Sequence, residues 1–290
     1  MTRPISVGVD GTPESGAAAD WAAREAVRRG LPLRLVHAWE RQAHDPTVAE
    51  DAETREQGAR QALRDVEEEV TGRHPGLTVT TEFLTDGAVD ALTAETDDDG
   101  LLVLGSRGHG AVVGFLLGSV GQQVIAQAAG PVVLVRSDDR AEHEAGGREV
   151  VVGHHGAPDD GAAALRFAFE TAAAREAPLR AVRAWNLPPV FGYSPGSLQL
   201  ADDAGGLEQY EEKALAEAVR PWRERYPQVR VVEHVEIGSA GQVLLSVAGS
   251  AQLMVVGRRA HRRAIGTRIG SVAHALVHHA PCPVAVVPPS

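Results

Sequence analysis

Residues 105–124 read GSRGHGAVVGFLLGSVGQQV, a glycine-rich stretch directly after the apolar run LLVL. Glycines at that density let a backbone turn sharply or approach a bound group closely. Gly105 and Gly108 are separated by two residues, nine more follow, and Gly118-Ser119 then opens an apolar pattern of helical spacing. The free N–H groups at the start of such a helix form an anion site, and Ser119 can cap it or donate its hydroxyl to a phosphate oxygen. The usual phosphate loop needs Gly-Lys-Ser/Thr, yet the only lysine of this chain is Lys213, in YEEKAL. Backbone amides must therefore read the anion, with Arg107 as the available cation. A second candidate, Asp10, ends the first apolar run, ISVGVD. A carboxylate at a strand end can accept hydrogen bonds from ribose hydroxyls.

The elements around these residues alternate. ISVGV, LRLVHAW, LTVTTEFL, LLVLG and PVVLV read as strands. Helices are predicted over about 15–29 and 49–72, in AVDALTAET, and in SVGQQVIAQAA, where Val120, Val124, Ile125 and Ala128 recur at helical spacing. Short apolar strands alternating with helices predict an α/β domain whose parallel sheet is covered on both faces. In such a sheet, ligands bind beyond the carboxyl ends of the strands, where the winding direction reverses. If the first and fourth strands are neighbours, Asp10 and the glycine loop share one crevice.

The chain then repeats itself. VGVDGTPESGAAADWAAREA (7–26) matches VGHHGAPDDGAAALRFAFET (152–171), PLRLVHAW (32–39) matches PLRAVRAW (178–185), and LLVLGSRGHG (101–110) matches LMVVGRRAHR (253–262). Offsets that grow slowly along the chain are what short insertions in one copy produce. Two domains follow, 1–136 and 150–290, joined by the charged, aperiodic linker SDDRAEHEAGGRE (137–149). Each half ends in an apolar strand, PVVLV (131–135) or PVAVV (283–287), and an exposed apolar edge invites aggregation, so these two edges are expected to meet.

Composition bounds the partners. A net charge of -11 argues against nucleic acid and against an anionic membrane surface. No run of 18 or more apolar residues occurs, nor any signal-peptide core, so a cytoplasmic location is expected. A single cysteine, Cys282, excludes an intrachain disulfide and a cysteine-cluster metal site. It precedes Pro283 where a strand begins, and a small buried apolar residue suffices there. His274 and His278 stand at i and i+4, but with Val272, Ala275 and Leu276 as the apolar face both are expected in solvent, and no metal site is assigned. ETDDDG (95–100) lacks the ligand spacing of a calcium loop and reads as a helix end and turn. Segments 41–57 and 186–206 read as loops able to cover the crevice.

Asp10, the Gly-x-x-Gly-(nine residues)-Gly-Ser pattern and the closing PVVLV strand together resemble the universal stress protein family, over essentially the whole chain and twice, as in its tandem-domain type. The resemblance implies two Rossmann-like (adenine nucleotide alpha hydrolase-like) domains, each a five-stranded parallel sheet of order 3-2-1-4-5 flanked by helices, forming an internal pseudo-dimer. It implies ATP as ligand, with Mg2+ an accompanying option. Carried over by position, Asp10 would hold the ribose and Gly8 and Ala38 would line the adenine. Gly105 would sit against the ribose, and Arg107, Gly108, Gly118, Ser119 and Val120 would surround the phosphates. The role implied is that of a regulatory or stress-response module.

No general base or carboxylate pair stands beside the loop, so at most weak ATP hydrolysis is expected. A slow ATPase or phosphotransfer enzyme, or a nucleotide-free scaffold, are the alternatives, and pairing of two chains into a homodimer stays open. The second half departs from the pattern. His155 replaces Asp10 and Ala260 replaces Gly108, leaving Gly257, Gly270, Ser271 and Val272. A Cβ at Ala260 obstructs close phosphate approach, and a neutral His155 supplies no carboxylate. One nucleotide per chain, in the first half, is the expectation.

Overall fold

The computed structural model describes residues 3–38, 49–84, 87–97, 100–106, 118–139, 141–144, 148–157, 160–186, 206–258 and 269–289. Clustering of contacts gives two compact units, one of Met1–Glu144 with Pro283–Val286, the other of Ala145–Cys282 with Val287–Ser290.

The first unit alternates as its sequence pattern requires: β1 (Ile5–Gly8), α1 (Pro13–Arg29), β2 (Leu33–Ala38), α2 (Ala49–Arg73), β3 (Val79–Leu84), α3 (Ala88–Ala94), β4 (Leu101–Ser106), α4 (Ser119–Gln127) and β5 (Val132–Arg136). Its strands lie in the order β3-β2-β1-β4-β5, all parallel, so β1 and β4 are neighbours. Val7, Leu35, Val103 and Val133 are wholly buried, as expected where helices cover both faces of a parallel sheet. β10 (Val284–Val287) runs antiparallel to β5, with Val284, Ala285 and Val286 opposite Leu134, Val133 and Val132. The two apolar edge segments therefore cover each other, and neither leaves this row of backbone groups unpaired.

Local chemistry sets the bounds of α1. Thr12 caps it by accepting from the Ser15 N–H, Pro13 takes the first turn, and Gly30 ends it in the left-handed region at φ 62°. Its sheet-facing side is made of alanines around Trp21, which lets the helix lie close to the strands.

Two expectations need correction here. Residues 49–57, read both as the start of a helix over about 49–72 and as part of a covering loop over 41–57, belong to the helix α2, and the loop reading fails there; the run AEDAETREQ is rich in strong helix formers. Residues 41–48 and 187–205 lie outside the described residues. The linker is also less aperiodic than its composition suggested. Ala141–Glu144 forms a short 3-10 turn, and Glu144 accepts from Arg24 Nε and Nη2 (3.2 and 3.1 Å) and from Arg28. Arg24 also reaches Asp139 at 3.0 Å and Asp20. Burial disfavours the Arg24 charge, but Glu144, Asp20 and Asp139 outweigh it and raise the pKa further. A buried guanidinium shared among three carboxylates thus ties this segment to α1.

The second unit repeats the plan with β6 (Glu149–Gly153), α5 (Ala162–Ala174), β7 (Leu179–Trp185), α6 (Leu207–Arg225), β8 (Val231–Ile237), α7 (Ala240–Val247), β9 (Ala251–Gly257) and α8 (Ser271–His279). Its parallel order is β8-β7-β6-β9, so the strands corresponding to β1 and β4 are again adjacent. At its C-terminal end the Arg258 N–H donates to the Val287 carbonyl at 2.6 Å.

Candidate functional site

Adjacency of β1 and β4 brings the candidate residues together. Gly8, Asp10, Ala38, Gly105, Gly118, Ser119 and Val120 line one cavity of about 380 Å³ beyond the carboxyl ends of the strands. Arg107 and Gly108 lie outside the described residues. Val36, Ala88, Leu92 and Leu104 give the cavity's lining apolar surface, and Asp10, Thr12, Ser15 and Ser119 give it polar groups. A cavity lined by apolar surface with a few polar groups has the make-up of a small-molecule site.

Asp10 is held in place by its own turn. Its Oδ1 accepts from the Thr12 N–H at 3.1 Å and from the Thr12 hydroxyl at 2.5 Å, and its N–H donates to Ser15 Oγ at 3.3 Å. Gly11 supplies the left-handed backbone, φ 79°, that this turn requires. Thr12 and Ser15 were not singled out from the sequence. Their signal is the Thr-Pro-x-Ser run that caps α1 immediately after Asp10.

The glycines divide by purpose. A Cβ on Gly105 would lie 2.6 Å from the Glu14 carbonyl carbon, so this glycine lets the end of β4 pack against the first turn of α1 as well as line the cavity. Gly118 is the opposite case, since a Cβ there would meet nothing within 4 Å. It stands before α4 without a side-chain cap, and the N–H groups of Ser119, Val120 and Gly121 have no partner within the helix, as in any helix's first turn. Those donors border the cavity, where the helix dipole favours negative charge.

His37 sits behind Asp10, on β2. Its ring stacks on Phe83 with centroids 5.5 Å apart, and the Arg60 guanidinium lies over the far aromatic at 4.6 Å. Burial pushes the His37 pKa below the ordinary imidazole value, against the Val9 backbone and the Asp10 charge, which act to raise it. Because the folded pKa is depressed, the unfolded chain takes up this proton first. The stability His37 contributes is therefore present above about pH 6.5 and is lost as pH falls below it. In urea denaturation, wild type is expected to lose more stability than His37→Gln between pH 7 and pH 5. Parallel losses would assign the pH dependence to other groups.

In the second unit the corresponding residues stand in a different setting. Gly257 ends β9, Gly270 (φ 86°) precedes α8, and Ser271 and Val272 open it. Ala260 lies outside the described residues, and His155, at the position of Asp10, is exposed. Arg183, at the position of His37, donates to the Gly156 carbonyl at 2.8 Å, reaches His154 Nδ1 at 3.2 Å and pairs with Glu211 Oε2 at 2.5 Å. The loop after β6 is thus tied down by a buried cation, where the first unit holds a carboxylate turn facing a cavity. His278 also corrects the sequence reading, for it is only 9 % exposed. The helix buries Ala273, Leu276, Val277 and His278, a stripe rotated from the one expected. Cys282 is a buried free thiol.

Residues 1–136 and 147–288 each match the model of the universal stress protein family. The chain belongs to the universal stress protein family. Universal stress proteins of Mycolicibacterium smegmatis and Mycobacterium tuberculosis are both 34% identical to it, over 302 and 300 residues, covering 98% and 99% of this chain and 97% and 99% of theirs. A universal stress protein crystal structure from Archaeoglobus fulgidus superposes with a TM-score of 0.67 at 16% identity, covering 98% of each chain, which shows the shared tandem fold. Among the described residues of this family member, no helix is long and apolar enough to cross a membrane.

Proposed function

We propose that this universal stress protein binds an adenine nucleotide, ATP in the first instance, in its first half and acts as a nucleotide-responsive regulatory module. The observation that carries the reading is the single cavity into which Asp10, the end of β4 and the start of α4 all face. Its apolar lining suits adenine, Asp10 suits the ribose hydroxyls, and the uncapped N-terminus of α4 suits phosphate. Arg107 and Gly108 would complete the phosphate side.

The test is to denature purified protein and identify any nucleotide released, then to titrate ATP, ADP, AMP and adenosine calorimetrically. ATP is expected to bind more tightly than adenosine by one to two orders of magnitude, since charged hydrogen bonds contribute about 1.5–3 kcal/mol. Equal affinities would mean that the helix N-terminus does not read phosphate. Intact ATP after long incubation supports the regulatory reading, and steady release of ADP would replace it with an enzymatic one.

A further inference from the structure

We propose that Thr12 sets the preference of the crevice for a ribose over a sugar lacking the 2′ and 3′ hydroxyls, by holding the Asp10 carboxylate; the inference rests on the nucleotide reading above. Asp10 itself is exposed. An exposed aspartate samples several rotamers, and a ligand that needs one of them loses affinity in fixing it. Thr12 fixes it beforehand. Its N–H and its hydroxyl both donate to Asp10 Oδ1, at 3.1 and 2.5 Å.

The direction of that hydroxyl is itself determined. A threonine hydroxyl has one proton and two lone pairs. The Ser15 N–H occupies a lone pair at 3.3 Å as part of the α1 cap, which leaves the proton for Asp10. The Thr12 carbonyl is held as well, accepting from Ser15 Oγ at 2.9 Å and from the Gly16 N–H at 3.1 Å. Ser15 is buried, and its Oγ also accepts from the Asp10 N–H at 3.3 Å, which closes a ring of bonds. Asp10, Thr12 and Ser15 all line the cavity. The second unit lacks both members of the pair. His155 and Ala157 stand in the places of Asp10 and Thr12, and the Ala157 N–H donates instead to Asp160 Oδ2 at 2.9 Å. The hydroxyl is absent where there is no carboxylate for it to hold.

Calorimetric titration of the full chain with ATP and with 2′,3′-dideoxy-ATP tests this, read as the ratio of the two affinities. Wild type is expected to favour ATP by about tenfold or more, as for a charged hydrogen bond to the sugar. Thr12→Val keeps the shape of the side chain without its hydroxyl and should lower the ratio by about threefold or more, and Thr12→Ser should restore it. The ratio separates positioning from capping, because a weakened start of α1 would lower both affinities together. Equal losses for the two nucleotides in Thr12→Val, or a wild-type ratio in that variant while Asp10→Ala abolishes the preference, would overturn the role of Thr12 alone. No ATP binding or no preference in wild type, or a preference that survives Asp10→Ala, would overturn the placement of the ribose on Asp10 and this inference with it.

Discussion

Asp10→Ala is expected to weaken ATP binding by about tenfold to 150-fold, the range that corresponds to losing a charged acceptor worth about 1.5–3 kcal/mol. Two losses act together. The carboxylate that would accept from the ribose hydroxyls disappears, and so do the two bonds by which Asp10 Oδ1 fixes Thr12 at the start of α1. Asp10→Asn separates them, because an amide oxygen can still accept from Thr12 while the charge is gone. Its affinity should fall between wild type and Asp10→Ala. The fold should survive both changes, since these bonds are exposed and the core of the unit does not include Asp10. Calorimetric titration, with circular dichroism to check folding, decides the matter. Undiminished ATP binding by Asp10→Ala would detach the ligand from this crevice.

Much of this site was legible in the sequence because it rests on the repeating strand–helix pattern. ISVGVD and LLVLG are short, apolar and followed by glycine or a capping residue, which marks both as strand ends. What spacing could not show is which glycines serve the ligand and which serve the packing. Gly105 is required by Glu14, a contact between segments 91 residues apart in sequence, and only the three-dimensional fold reveals it. The linker's contacts were hidden for a related reason. Its charges read only as linker composition, yet Glu144 finds Arg24 and Arg28 on α1, 120 and 116 residues away. His278 was misplaced by phase: Val272, Ala275 and Leu276 suggest one apolar stripe, while Ala273, Leu276 and Val277 form the stripe that is buried. In a helix with so many small residues, two stripes fit the pattern almost equally well, and neighbouring elements choose between them.

The halves are expected to differ in ligand affinity by two or more orders of magnitude, giving one tightly bound ATP per chain, in the first half. Both sequence changes in the second half fall on the strand ends that would flank a ligand. His155 removes the acceptor carboxylate, and Ala260 adds a Cβ where the backbone must come close, each costing about 1.5–3 kcal/mol. At about 1.4 kcal/mol per tenfold, the sum exceeds a hundredfold. The structure adds a further reason. Arg183 binds the Gly156 carbonyl, His154 and Glu211 together, so the loop after β6 is pinned to a buried cation instead of being shaped around a ligand-facing carboxylate. Equilibrium dialysis with ATP should give a stoichiometry near one, and Asp10→Ala should remove most of that binding. His155→Ala should leave it unchanged, because an exposed side chain of the second half is no part of a site in the first. Two equivalent ATP molecules per chain, or a tight site that survives Asp10→Ala and fails in His155→Ala, would show that the altered motif of the second half still binds nucleotide.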